Sequence, residues 1–184
     1  VAGQLMTLAE AAKKGLVRDY AWGYNPVDRA YKLVSAGENL QPFVGYWILA
    51  RVEGAELILS PPGSRSAGGT QITRSAAMSE DNWTVQLVAR AGNSVDSANV
   101  IGVASDSLQI EKPAPLEGYV QVQLRSPEND APLAVDIRRS AGAKQVYTFE
   151  VVTDMPNTPV TLSWPDVAKI SRKLEMVLVD MDAN

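Results

Sequence analysis

Cysteine and histidine are both absent from the chain. Their absence excludes disulfides, thiol nucleophiles, zinc sites of the usual Cys/His kind and every histidine-dependent triad. It does not set the compartment, because many bacterial surface proteins also lack cysteine. Positive charge is in short supply too: 17 Lys and Arg against 21 Asp and Glu give a net charge of −4 and a pI near 4.9. The basic residues are scattered, so neither a nucleic-acid groove nor attraction to an anionic membrane surface is expected. No apolar run approaches the roughly 20 residues that span a bilayer, which argues against membrane insertion. The phosphate and nucleophile motifs G-x-G-x-x-G, Walker loop, G-x-S-x-G and S-x-x-K are missing. The Gly-rich stretch at 63–69 has no Lys in the phosphate-reaching position.

What remains is a chain of 184 residues, 46% apolar and 21% charged, with enough apolar side chains to build a core without metals or staples. That length suits one ordinary domain or two small ones. A first residue Val1 in place of Met fits a processed or excised segment.

Residues 4–15, QLMTLAEAAKKG, predict a short helix, with Leu5, Leu8, Ala9 and Ala12 at helical spacing, Thr7 as cap and Gly15 at C′. LVRDYAWGYN then alternates loosely up to the turn residues Asn25, Pro26 and Asp28. AYKLVS (30–35), GYWILARV (45–52) and AELILS (55–60) read as strands of a small antiparallel sheet. SPPGSRSAGGT (60–70) crowds Pro and Gly and marks a boundary. Short strands follow: WTVQLVAR, YVQVQLR, LAVDIR, QVYTFEVV, PVTLSW and LEMVLVD. Trp83, Val85, Leu87 and Ala89 share one face against Thr84, Gln86 and Arg90, and Tyr147, Phe149 and Val151 do so against Thr148 and Glu150. Period-2 patterning with one polar face marks antiparallel sheets wetted on one side, and many such strands suggest a sandwich. The expected organisation is mainly β. Residues 1–62 form a small α+β module, 63–82 a linker and connecting strand, and 83–184 an antiparallel β-sandwich.

Phe is rare, with only two in the chain, yet Phe43, Tyr46 and Trp47 fall within five residues. In the strand from Gly45, both faces are apolar, so Trp47 is expected to pack in a core, with stacking on a ligand as the alternative, and Gly45 to admit a close neighbour. Tyr20, Trp22 and Tyr24 lie on one face of their strand, with Tyr31 nearby. A row of rings on a solvent-facing sheet is how β-modules stack on sugars, which makes these four candidate carbohydrate-binding residues.

The order AEAAKKGLV, W-x-Y-N-P, Y-K-L-V and L-x-P-x-x-G-Y-W-I resembles a module common in secreted and cell-surface proteins of bacteria. In these a variant W-x-Y-D…Y…L-x-P-G-x-G-Y-W-I precedes β-sandwich repeats. The second half fits through WTVQLVAR, DSANVIGVA, KPAPLEGYV, LAVDIR, VTLSWP and LVD. The likeness covers nearly the whole chain and departs at Phe43, where the pattern more often has Gly. It implies an extracellular, immunoglobulin-like, non-catalytic module. It also leads to the expectation of one more strand after Leu178, lying further along or supplied by a neighbouring subunit.

Asp180, Asp182 and Asn184 form D-x-D-x-N, the opening of a calcium loop, although an ordinary polar strand end explains them as simply. Asp96, Asn99 and Asp106 form a second acidic cluster that could hold calcium, against the plain reading of turn residues. Asp136 and Arg138, two apart on a strand, are expected to form a structural ion pair. Carboxylate-only glycosidase chemistry has no pair that the spacing selects. Together the sequence points to a non-catalytic structural or adhesive protein, secreted or at the cell surface. It would act through sheet edges and faces on other subunits or domains, as in a surface assembly or filament. The alternative is a carbohydrate-binding accessory module whose partner is a polysaccharide.

Overall fold

The computed structural model describes residues 5–35, 38–58, 82–126, 128, 131–139, 144–165, 167 and 174–181. Residues 63–81 of the expected 63–82 linker, the end of AELILS and residues Asp182 and Asn184 lie outside the described residues.

The chain is mainly β. Its helix α1 (Leu8–Lys13) begins at Thr7, whose hydroxyl accepts from the Glu10 backbone N–H while the Glu10 carboxylate accepts from the Thr7 N–H. This capping box satisfies two donors that a helix start otherwise leaves unpaired. The backbone hydrogen bonds of Thr7 hold the Glu10 carboxyl below its ordinary pKa. Gly15 takes φ 71° just beyond the end, where a left-handed residue is wanted.

Strands β1 (Tyr20–Asn25), β2 (Ala30–Ser35) and β3 (Gly45–Trp47) form an antiparallel sheet in the order β2-β1-β3. The β1–β2 turn is tied by Asn25, which donates to Asp28 at 2.7 Å and accepts from the Val27 N–H at 2.9 Å. The strand expected over 45–52 is shorter, continuing only as an isolated bridge from Ala50 to Val17, and 55–58 adds no strand. Gly45 pairs with Tyr24, but a Cβ placed on it would meet no neighbour. Gly23 is the glycine that admits a ring, with Tyr46 packed against it.

The second sheet comprises β4 (Trp83–Ala91), β5 (Ser94–Ala104), β6 (Leu108–Glu111), β7 (Val120–Arg125), β8 (Pro132–Arg139), β9 (Phe149–Thr153) and β10 (Val160–Ser163). Its order is β10-β4-β5-β8-β7-β9, with β6 also paired to β8. Most pairings are antiparallel, but β5 and β8 run parallel, Val100 opposite Val135 through Ala104 opposite Arg139. Strand β8 changes partner along its length: its far end lies on β5, while Pro132 and Leu133 pair with Arg125 and Leu124 of β7. That switch folds the sheet over, so β7 packs across β4 and β5 without pairing to them.

The main core lies between these layers and comprises Val85, Leu87, Ala89, Ala91, Ile101, Val120, Val122, Leu124 and Leu133. Trp83, Tyr147, Phe149 and Val151 close over it, as the alternation of β4 and β9 predicts. A second core lies on the opposite face of β5 and β8, where Tyr20 and Trp22 of the small sheet meet Ile110, Ala134 and Val135. Residues 174–180, expected as a strand, form none, and their apolar side chains stand in solvent with that of Met181.

Candidate functional site

Tyr20, Ala21, Trp22 and Gly23 of β1 are all buried, and the face carrying Tyr20 and Trp22 is turned inward on the larger sheet. Tyr20 and Trp22 are only 9% and 4% exposed, which corrects their expected position on a solvent-facing platform. Their polar atoms are used in docking. The Trp22 indole donates to the Glu111 carbonyl at 3.1 Å, and the Tyr20 hydroxyl accepts from the Glu111 N–H at 3.1 Å. Arg18 pairs with the Glu111 carboxylate, and that hydrogen bond raises the arginine's pKa. Tyr31 donates to the Ala114 carbonyl at 2.9 Å. Burial pushes the pKa of both Tyr20 and Tyr31 upward.

The rings also meet edge-on: Tyr20 with Trp22 at 79° between planes, and Trp22 with Tyr31 at 78°. Tyr24 and Tyr31 are tilted at 56° with centroids 5.2 Å apart. This is packing geometry, in which the positive edge of one ring meets the face of the next. Tyr20 and Trp22 have no face left for a sugar, whereas Tyr24 and Tyr31 are half-buried.

Trp47, expected in a core, is exposed instead, and so is Phe43. Trp47 is 46% exposed on the edge strand β3, and Phe43 stands wholly in solvent at φ 63°. Strand β3 is three residues long at the sheet edge, and apolar residues on both of its faces do not ensure that another layer covers either. The left-handed backbone at Phe43 is the conformation that glycine adopts at least cost.

The acidic candidates separate. Asp106 is exposed on the β5–β6 turn and lies 3.4 Å from Arg139. Asp180 is exposed in the 174–181 segment. Asp96 and Asn99 come together in the interior, brought there by an irregularity in β5. Opposite Leu87 and Ala89 the register shifts, so Leu87 faces Asn99 and Ala89 faces Asp96. The extra residue resets the alternation, and two side chains three apart point the same way. Between them lies the amine of Lys112, 2.6 Å from Asp96 Oδ2 and in contact with Asn99 Oδ1. The cation these residues hold here is a lysine. Among the described residues no group of three or more Asp and Glu is placed to bind a metal.

Nothing in the sequence singles out Lys112, and its neighbours explain why. It follows β6 in IEKPAP, where a lysine reads as a solvated strand end. In the fold it lies beside the shifted register of β5, where the Val122 N–H of β7 also reaches Asp96, and its side chain is buried. Asp136 and Arg138 do form the expected pair: Nη2 lies 2.6 Å from Asp136 Oδ2, with the carboxylate buried. The guanidinium also lies 4.3 Å from the centroid of the Tyr147 ring.

Compared with known proteins, the chain matches no family model, no curated protein and no solved structure.

Proposed function

We propose that the chain is a non-catalytic structural or adhesive module of a secreted or surface-displayed protein. It works through sheet edges and faces on a second copy or on neighbouring domains of the same protein, and its larger sheet is immunoglobulin-like. The observation that carries this reading is the segment 174–181. It runs without helix or strand structure, and Met176, Val177, Leu178, Val179 and Met181 are 44%, 73%, 59%, 65% and 82% exposed. Apolar side chains at successive positions suit a strand covered on both faces. Strand β10 offers a place for one, since among the described residues it pairs with β4 alone, and it carries exposed Val160 beside Trp164. Sheets exposing such an edge are completed by strand addition. The internal carboxylates favour a structural role as well, because Glu111, Asp96 and Asp136 are each engaged by a basic side chain.

Light scattering on native material tests the reading. A discrete assembly that Val177→Asp with Val179→Asp reduces to monomers is the expected result. A wild-type chain that stays monomeric at high concentration would overturn assembly between copies. The second reading, carbohydrate binding, is favoured by exposed Phe43 and Trp47 rather than by Tyr20 and Trp22. Binding on a glycan array that Trp47→Ala abolishes would move it to first place.

A further inference from the structure

The interior cluster of Lys112, Asp96 and Asn99 holds a primary amine, a carboxylate and a carboxamide in one water-poor contact. The side chain of Lys112 is 3% exposed and that of Asp96 8%, while Asn99 is fully buried. Each group is fixed. The Lys112 backbone N–H donates to the Pro132 carbonyl at 2.8 Å, anchoring the end of β6 beside β8. The carboxylate Oδ2 of Asp96 accepts from the Val122 N–H at 2.7 Å and from the lysine. The Asn99 amide donates through Nδ2 to the carbonyls of Leu87 at 3.1 Å and Asp96 at 3.2 Å. That orientation leaves Oδ1, and with it the adjacent carbonyl carbon, turned to the lysine amine.

A buried lysine–aspartate pair needs no carboxamide, and desolvating two charges is costly even when they are paired. What the three groups do supply together is a complete set for amide exchange: a nucleophile, an electrophile and a proton carrier. We propose that Lys112 and Asn99 join spontaneously in an intramolecular isopeptide bond, with Asp96 as the catalytic acid–base. Burial pulls the lysine pKa below its ordinary value, with Asp96 opposing that shift, so the reactive neutral amine becomes more accessible than in water.

In the reaction Asp96 takes a proton from the Lys112 ammonium, and Nζ attacks Cγ of Asn99. The tetrahedral intermediate collapses as the Cγ–Nδ2 bond breaks, and protons passed through Asp96 convert the departing nitrogen to ammonia. It leaves as ammonium and restores the Asp96 carboxylate. One ammonium and one primary carboxamide become one secondary amide and one ammonium ion, with no oxidant, reductant or cofactor. The groups are held in contact by the fold, which supplies the proximity that this slow reaction lacks in solution.

The bond would tie β5 to the end of β6, residues 13 apart in sequence. Neighbouring Glu111 carries the docked small sheet. The inference does not depend on the adhesive reading, since the cluster is internal.

The test is the intact mass of the purified, folded chain. The expected value is the sequence mass less one ammonia; the full sequence mass would overturn the proposal. Cyclisation of Asn99 onto its own backbone loses the same ammonia, so the location is read by cleaving the denatured protein after glutamate. Cutting after Glu111 and Glu117 releases the Lys112 peptide from an unlinked chain. The expected product keeps it joined to the fragment carrying Asn99, and separate fragments would overturn the bond. Lys112→Arg and Asp96→Asn should both retain the ammonia. Loss of ammonia from folded Lys112→Arg would overturn the bond, and undiminished linkage in Asp96→Asn would overturn the role of Asp96. Neither variant has to fold for the wild-type mass and fragments to decide the matter.

Discussion

Trp22 donates its indole N–H to the carbonyl of Glu111 at 3.1 Å, across 89 residues of sequence. Tyr20, two residues earlier on β1, accepts from the N–H of the same residue. The end of β6 thus offers its backbone to the small sheet as a further strand would, but side chains receive it. Trp22→Phe keeps an aromatic ring while removing the donor and leaving space. We expect a loss of about 2 kcal/mol, combining an unsatisfied buried carbonyl with a partly filled cavity. The urea midpoint of unfolding checks it. An effect below a few tenths of a kcal/mol would mean that the small sheet contributes little to the fold.

The buried phenols make a pH prediction. Burial raises the pKa of Tyr20, Tyr31 and Tyr147 above the ordinary 10.0. A phenol whose folded pKa is raised stays protonated in the fold while the unfolded chain ionises, so the unfolded state binds fewer protons. Stability is therefore fully present below about pH 10 and falls as pH rises through the folded values. Unfolding measured from neutral to strongly alkaline pH should show this slope, and Tyr20→Phe should flatten it. It should also lower stability at neutral pH by about 1 to 3 kcal/mol, because the Glu111 N–H loses its acceptor.

Two ion pairs should respond differently to the loss of their arginine. Asp136 is 1% exposed, and Arg138 Nε and Nη2 donate to its Oδ2 at 3.0 and 2.6 Å. Arg138→Met leaves that carboxylate buried and without its cation, which costs about 3 kcal/mol. Arg125 and Glu150 pair at 2.5 Å with side chains 38% and 53% exposed, so Arg125→Met should cost less than about 1 kcal/mol. Thermal unfolding of the two variants side by side measures the contrast.

The sequence made the local devices readable and left their consequences open. The Thr7–Glu10 cap, the β4 alternation and the shared face of Tyr20 and Trp22 each depend on residues close in the chain. That the ring-bearing face of β1 is covered depends on a sheet whose first strand begins only at Trp83, and period-2 patterning cannot say what comes to cover it. Trp47 went the other way for the same reason: its strand is apolar on both faces and still lies at an edge. Asp96 and Asn99 were visible as polar residues, but their shared inward direction needs the register shift opposite Val88. A bulge has no residue signature there, and with it Lys112 stayed hidden.

Close approach of the backbone distinguishes two glycines that a sequence cannot rank. A Cβ on Gly102 would collide with the Trp83 carbonyl oxygen, and the Gly102 carbonyl already accepts from the Tyr147 hydroxyl at 2.6 Å. Gly45 has open space where its Cβ would stand. Gly102→Ala should therefore cost about 1 to 3 kcal/mol through forced separation of β4 and β5. Gly45→Ala should be close to neutral. Denaturant unfolding of both variants would sink the argument if they behaved alike.

Phe43 sets stability against surface. Its ring is fully exposed, so it adds no core burial, while φ 63° places a bulky residue in the left-handed region. That conformation costs roughly 1 to 2 kcal/mol for a side chain with a Cβ. Phe43→Gly should remove the strain, offset by the greater freedom glycine has when unfolded, leaving stability unchanged or raised by up to about 1 kcal/mol. If the strain is kept because the ring meets a partner, the same variant should weaken assembly or glycan binding while unfolding no more readily. Measuring both properties on one preparation separates the cases. A loss of stability would show instead that the ring packs within the fold, and a full retention of binding would remove Phe43 from the contact surface.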